Sequence, residues 1–277
     1  MPTVHPTASV DGDVRLADDV VVGPLCVLAG PIEIGSGTRL IGHSYLQGPL
    51  RLGARNTVYP FACLGFSPQD LKWDPSEPGA GLAIGEGNVF REGVSIHRAT
   101  SRERPTSIGD RNYFMANSHA GHDCRIGNDG IFANSSLFAG HVEVGDRVVT
   151  GGNSSVHQFC RIGRGCMISG QVATSQDLPP FFMLTGLNIA GSLNLIGLRR
   201  SGATQQEIAD VRWVYATLYR RELSVKAALE VLRERADRTM VAEYIRFIES
   251  SKRGICPAVG NNARGVAAAG GPETVDA

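Results

Sequence analysis

VDGDVRLADDVVVGPLCVLAGPIEIGSGTRLIGHSYLQGPLRLGARNTVYPFACL, residues 10–64, carries an aliphatic side chain at every sixth position. Stepping from Val10 gives Leu16, Val22, Leu28, Ile34, Leu40, Leu46, Leu52, Val58 and Leu64. With 42% apolar residues in the chain, ten successive hits in one frame have a chance on the order of 10⁻⁴. A period of six matches neither the roughly 3.6 of a helix nor the two of a plain strand. It predicts short strands joined by turns, with three such units closing one triangular coil. Stacked coils lie about 4.8 Å apart, the spacing of neighbouring strands. Each coil hides its aliphatic residues only when neighbours cover it, so many coils are needed. Glycine often follows the aliphatic position, at Gly23, Gly35, Gly53 and Gly65, as tight turns require.

Outward from this stretch the frame breaks after Leu64 and resumes at Ile84, Phe90 and Ile96. FSPQDLKWDPSEPGAG, residues 66–81, is therefore predicted to be an inserted loop. A second excursion is predicted around Arg102, in the charged run RATSRERPT. The frame then runs through Ile108, Phe114, Ala120, Ile126, Phe132, Phe138, Val144, Thr150, Val156, Ile162, Ile168 and Thr174. LPP at 178–180 is expected to end it. From Thr204 helical spacing takes over. Thr204 to Glu207 fits a capping box, and Ile208, Val211, Val214 and Leu218 share one face. Ser224 is predicted to cap a second helix carrying Val225, Ala228, Leu229 and Leu232; Tyr244, Phe247 and Ile248 mark a third. The expected organisation is a β-helix over 1–190, a helical domain over 191–255, and a disordered tail over 256–277.

Composition narrows the function. Lys plus Arg and Asp plus Glu both number 27, so nothing suggests a general attraction to nucleic acid. No apolar run reaches the length of a membrane span. The N-terminus, MPTVHPTASV, lacks the basic and apolar regions of a signal peptide. Cys26, Cys63, Cys124, Cys160, Cys166 and Cys256 form no CxxC pair and are expected to be reduced thiols in a cytoplasmic protein.

Five of the seven histidines lie between 97 and 157: His97, His119, His122, His141 and His157. The steps from His122 to His141 and from His141 to His157 are each close to the length of one coil. These histidines are predicted to stand on neighbouring coils near one edge, an arrangement suited to acid–base work. Asp123 follows His122 and could support a nearby imidazole. A metal site is the rival use of clustered histidines. Strand alternation sets His119 and His122 on opposite faces, which disfavours a shared ion there.

HPTA, QDLK, SIHRAT, NSHAGHDC, AGHVEVGD, SSVHQF and QDLPPF, in this order, closely resemble the bacterial acyl-ACP–UDP-N-acetylglucosamine O-acyltransferases, where ACP is acyl carrier protein. The resemblance covers residues 4 to about 253, including GLRRSG and a closing ESSKRG. It implies a left-handed parallel β-helix, a C-terminal helical domain and a homotrimer with sites between subunits. It implies transfer of a (3-hydroxy)acyl group from acyl carrier protein to the 3-hydroxyl of UDP-N-acetylglucosamine, the first step of lipid A synthesis, with no metal or small cofactor. By match to its motifs, His122 would be the general base, Asp123 its support, and the Gly140 N–H an oxyanion donor. His97, His119, His141, His157, Gln158 and Asn194 would contact the sugar nucleotide, and Arg200 its phosphates. Asp70 and Lys72 would close over the site, and Gly170 would lie near the tail of the acyl chain. The chain departs from the family where Ile196 replaces an acid, Ser201 replaces an arginine and Asn188 stands in place of a common histidine. These changes touch nucleotide recognition.

Three other readings compete. A hexapeptide acyltransferase acting on a sugar amine usually carries a domain before the repeats, whereas these begin by residue 10. A zinc-dependent carbonic anhydrase of similar fold needs a histidine spacing absent here. A non-catalytic trimeric scaffold gives no reason to stack histidines beside Asp123.

Overall fold

The computed structural model describes residues 1–258. Its strands fall into three sheets of eleven, nine and eight strands, here called faces A, B and C, parallel throughout except for the last strand of face A. The chain visits the faces in strict rotation, and each strand pairs with its counterpart one coil away. On face B, for example, Val10 pairs with Leu28, Leu28 with Leu46, and Leu46 with Leu64. The molecule is thus a parallel β-solenoid, a three-sided prism whose inward positions are the six-residue frame. Leu28, Leu40, Leu46, Leu64, Phe90, Ile96 and Phe114 have no exposure. Phe90, Phe114, Phe132 and Phe138 form a continuous row of ring contacts, stacked, then tilted, then edge to face, with centroids 4.7–5.2 Å apart.

The polar members of the frame are buried with partners. Thr150 Oγ1 is 2.6 Å from Ser136 Oγ and accepts from the Ala133 N–H at 3.2 Å. Thr174 donates to the Gln176 carbonyl at 2.9 Å. Val10 departs from the expectation. It is 44% exposed, because its strand, Ser9–Asp11, is covered on one side only. The repeat also outlasts LPP. Met167 and Ile168 pair with Met183 and Leu184 in one further face A strand, Phe182–Gly186. Pro179 and Pro180 sit in the turn before it, where their carbonyls accept hydrogen bonds and no N–H is required. That strand then turns back antiparallel through Ile189–Leu193, a hairpin that the six-residue frame does not announce.

Both excursions leave at one corner. Residues 67–81 connect face B to face C in one coil, and residues 98–105 do so in the next. The later coils turn this corner more tightly, at 121–124, 139–142 and 157–160. The two loops therefore overhang the edge on which His122 and His141 stand.

Among the described residues four helices follow: α1 (Leu195–Arg200), α2 (Gln205–Tyr219), α3 (Val225–Arg233) and α4 (Thr239–Glu249). Thr204 and Glu207 form the expected capping box on α2, and Ser224 caps α3. Most of the predicted apolar positions are buried, but Leu229 and Phe247 are only half-buried, and Val225 is 47% exposed at the first position of its helix. Helix α1 is an element the repeat analysis lacks. Tyr244 of α4 is fully buried and donates to the Pro180 carbonyl at 2.6 Å, which fastens the helices to the end of the prism. Of the stretch expected to be a tail, the described part is ordered against the prism: Cys256 and Ala258 are buried, and the Pro257 carbonyl accepts from the Ala190 N–H at 2.8 Å. Residues 259–277 lie outside the described residues. All six cysteines are free thiols, five of them buried. Among the described residues no helix is long and apolar enough to cross a membrane.

Candidate active site

The corner between faces B and C is a column of left-handed turn residues. Asp123, His141 and Phe159 occupy equivalent positions on successive coils, with φ of 60°, 60° and 64°. Non-glycine residues adopt this conformation at a cost. Stacking holds them there: the His141 N–H donates to the His122 carbonyl at 2.9 Å and the Phe159 N–H to the Gly140 carbonyl at 3.2 Å. The side chains follow the backbone ladder. The His122 and His141 rings meet edge to face at 5.1 Å, and His141 stacks on Phe159 at 4.5 Å.

His122 and Asp123 form a hydrogen bond of 2.7 Å between Nδ1 and Oδ2. Asp123 is fixed from its other side by the loop at 98–105. It accepts from the Thr100 hydroxyl at 2.7 Å, the Thr100 N–H at 3.1 Å and the Ser101 N–H at 3.1 Å. Burial pushes the Asp123 carboxyl upward, but the hydrogen bonds from His122, Thr100 and Ser101 outweigh it and hold the group well below the usual carboxylate range. Asp123 is therefore an anion at neutral pH, and it fixes a proton on His122 Nδ1. The second ring nitrogen, Nε2, is left as an acceptor. That nitrogen faces Gly140, where an added Cβ would stand 2.7 Å from both His122 Nε2 and Cε1. Among the described residues the Gly140 N–H has no hydrogen-bond partner.

Two hollows flank the corner. One, of about 650 Å³, lies over face B and is lined by His97, His119, His122, Gly140, His157 and Gln158, with Gln69 and Leu187 at its edge. His119 Nδ1 is hydrogen-bonded to Ser95 Oγ at 2.8 Å. His97 packs edge to face on His119 at 5.1 Å, and its Nδ1 is buried without a partner. Burial, reinforced by the neighbouring imidazoles, lowers the His97 pKa to about 4, so it is a neutral ring. Burial also lowers His119 and His141; for His141, Asp123 and Asp70 oppose the shift. The other hollow, of about 780 Å³, lies over face C and includes Asp123, His141 and Phe159.

The corner and the face B hollow thus bring together His97, His119, His122, Asp123, Gly140, His141, His157 and Gln158. Asp70 is close enough to His141 to act on its charge, while Lys72 is exposed and its N–H closes a turn onto Asp70 Oδ1 at 2.9 Å. Asn194, Arg200 and Gly170 line neither hollow. Asn194 is occupied as the N-cap of α1, accepting from the Gly197 N–H and donating to the Gly165 carbonyl. Arg200 is exposed in the last turn of that helix, and Ile196 is 61% exposed on it. Asn188 is tied to Thr174 and Ser175 at the end of the prism. Gly170 lies on the corner between faces A and B.

Sequence reasoning missed Ser95, Thr100, Ser101 and Phe159. Thr100 stands in the SIHRAT stretch, and Phe159 lies one regular coil after His141, so coil arithmetic alone could have placed it. The donor atoms of His122, Asp123 and His141 lie within 4.8 Å of one another, so the cation-capable trio is not the His119–His122 pair weighed from spacing. The short hydrogen bond already occupies His122 Nδ1, which suits an oriented base better than a ligand.

Comparison with known proteins finds relatives over nearly the whole chain. A family model described as "Udp N-acetylglucosamine O-acyltransferase; Domain 2" matches residues 177–256. The chain is 41% identical to an acyl-ACP–UDP-N-acetylglucosamine O-acyltransferase of Halorhodospira halophila, over 92% of this chain and 99% of that one. A crystal structure of the Francisella novicida UDP-N-acetylglucosamine acyltransferase superposes with a TM-score of 0.89 at 32% identity, covering 93% of this chain and 95% of that one. The Moraxella catarrhalis UDP-N-acetylglucosamine O-acyltransferase superposes with a TM-score of 0.86 at 36% identity, covering 91% and 99%.

Proposed function

The chain belongs to the acyl-ACP–UDP-N-acetylglucosamine O-acyltransferases, the acyltransferases of lipid A synthesis, and from that membership we propose how its own residues divide the work. His122 is the general base. Its Nε2 takes the proton of the sugar 3-hydroxyl as that oxygen attacks the thioester carbonyl of the acyl-ACP donor. A C–O bond forms, and the carbonyl oxygen gains the negative charge. The Gly140 N–H receives that charge. As the intermediate collapses, the C–S bond breaks and the His122 imidazolium returns its proton to the departing thiolate. Asp123 remains ionised throughout and stabilises the imidazolium.

The observation that carries this reading is the 2.7 Å His122–Asp123 hydrogen bond, with Asp123 held by Thr100 and Ser101. It sets tautomer and orientation before substrate arrives. His97 and His119, neutral and lining the same hollow, are hydrogen-bonding groups for the sugar nucleotide, together with His141, His157 and Gln158. Asn194 and Arg200, which line neither hollow of a single chain, reach the site in this reading from a neighbouring subunit of a homotrimer. Free thiols throughout fit a reducing cytoplasm.

The test is to incubate the protein with 3-hydroxyacyl-ACP and UDP-N-acetylglucosamine and to follow free thiol and the mass of the acylated sugar nucleotide. The wild type is expected to form the 3-O-acyl product and His122→Gln to form little. Product from a different UDP-sugar only would reassign the acceptor, and a fully active His122→Gln would remove this residue from the role.

A further inference from the structure

The hollow over face C contains five cations: Arg104, Arg125, Arg161, Lys252 and Arg253. Two are neutralised locally. Arg125 pairs with Glu143, and Arg161 pairs with Asp177 at 3.0 Å. Arg104, Lys252 and Arg253 have no carboxylate partner among the described residues. Lys252 and Arg253 belong to ESSKRG at 249–254, a stretch with no role in the acid–base scheme.

This segment is held firmly. The Asp177 N–H donates to the Gly254 carbonyl at 2.8 Å, and the Cys256 N–H donates to the Asp177 carbonyl at 2.8 Å, so the segment pairs with the last coil. Asp177 is 1% exposed and accepts from Ser251 Oγ at 2.8 Å and from the Arg161 N–H at 2.8 Å. Arg161 Nη1 reaches Ser250 Oγ at 2.8 Å, and its guanidinium lies over the Phe247 ring at 4.4 Å. Arg253 Nε donates to the Ser175 carbonyl at 3.2 Å. Its Nη2 lies 3.2 Å from His157 Nδ1. A guanidinium can only donate, so this contact makes His157 Nδ1 an acceptor and leaves its proton on Nε2. The opposite tautomer would have only the longer 3.3 Å contact with the Gln158 carbonyl.

A pre-positioned guanidinium with one side turned to an open hollow, flanked by a second unpaired cation and adjoining the reacting corner, is built for an oxyanion. Both substrates of the proposed reaction carry one: a diphosphate in the sugar nucleotide and a phosphodiester in the carrier's prosthetic arm. Resting on that reading of the reaction, we propose that Arg253, with Lys252, is a specificity-determining cation that receives a substrate phosphate in the face C hollow.

Arg253→Gln and Lys252→Gln test it, measured against acyl-ACP, UDP-N-acetylglucosamine, acyl-phosphopantetheine and acyl-pantetheine. Lys252 makes no hydrogen bond or ion pair among the described residues, so its variant keeps the test open should Arg253→Gln fold poorly. Each variant is expected to raise KM for one phosphate-bearing substrate about tenfold while kcat changes far less. A rise for acyl-ACP and acyl-phosphopantetheine but not for acyl-pantetheine assigns the donor phosphate. A rise confined to UDP-N-acetylglucosamine assigns the diphosphate. Unchanged KM values in folded protein, or a fall in kcat alone, overturn the proposal. Calorimetric titration with inorganic pyrophosphate needs no turnover and separates this proposal from the reaction assignment. Binding is expected to weaken about tenfold in each variant, and equal binding by wild type and both variants overturns it whatever the transfer assay shows.

Discussion

Gly140→Ala puts a single methyl group against the base. An ideal Cβ at Gly140 stands 2.7 Å from His122 Nε2 and Cε1, whereas carbon contacts settle at about 3.5–4.0 Å. The ring must withdraw by roughly 1 Å to restore that contact. It cannot do so freely, since its Nδ1 is bound to Asp123 at 2.7 Å and Asp123 is itself held by Thr100 and Ser101. A misplacement of about 1 Å at a reacting group costs on the order of 10²-fold. We therefore expect kcat to fall by about that factor, KM for UDP-N-acetylglucosamine to change far less, and the protein to remain folded. Steady-state kinetics with acyl-ACP as donor reads the first two, and thermal unfolding reads the third. In a His122→Ala background the added methyl has no ring to displace, so its effect should largely vanish. Wild-type kcat in Gly140→Ala would refute the close approach of base and backbone. A full additional loss in the double variant would show that the methyl acts on the oxyanion instead of through His122.

Removal of the base itself, His122→Ala, should lower kcat by about 10²–10⁴-fold. It should also abolish the ascending limb of the kcat/KM pH profile, and a limb that survives unchanged assigns it to another group. His97 titrates near 4 in the folded state and near 6.5 when unfolded, so the native protein binds fewer protons in between. Stability from this group is full above pH 6.5 and is lost as pH falls toward 4. Urea unfolding at pH 7.5 and pH 5 should therefore show wild type losing about 1–2 kcal/mol more than His97→Gln, allowing for screening by water in the hollow; equal losses would mean that His97 is not held neutral. Gly170→Met should shift donor preference toward shorter acyl chains if a neighbouring subunit places the acyl tail beside this corner, and an unchanged chain-length profile would exclude Gly170 from that contact.

The prism was legible because its cause is local and repeated. Each inward position needs one apolar residue per six, and no other element has that period. The open coil at Val10 was not legible, since burial there depends on what lies beyond the strand. The hairpin Phe182–Leu193 and helix α1 fall between two periodicities, and Pro179 and Pro180 suggested a stop where the turn merely has no use for an N–H. At the site, spacing placed His122 and His141 on adjacent coils, but it could not reveal the Asp123–Thr100 contact, which crosses from one coil to the next through an irregular loop. Nor could it separate residues brought together within one chain from Asn194 and Arg200, which stand apart in it.

The corner column also fixes where the chain can tolerate a change in length. Asp123, His141 and Phe159 are spaced by backbone register, so one residue added within 121–160 would rotate every later side chain off its station and dismantle the site without any loss of apolar content. The two overhanging loops behave differently. Leu64 pairs with Ile96, and Ile96 with Ala120, across the inserted segments, and both pairs keep the inward register; the one shift, between Leu64 and Phe66, falls where the first loop leaves. Additions at 67–81 and 98–105 are thus discharged outward before the next strand begins, directly above the reacting groups. In this architecture, chain length can vary at the mouth of the site while its floor stays calibrated.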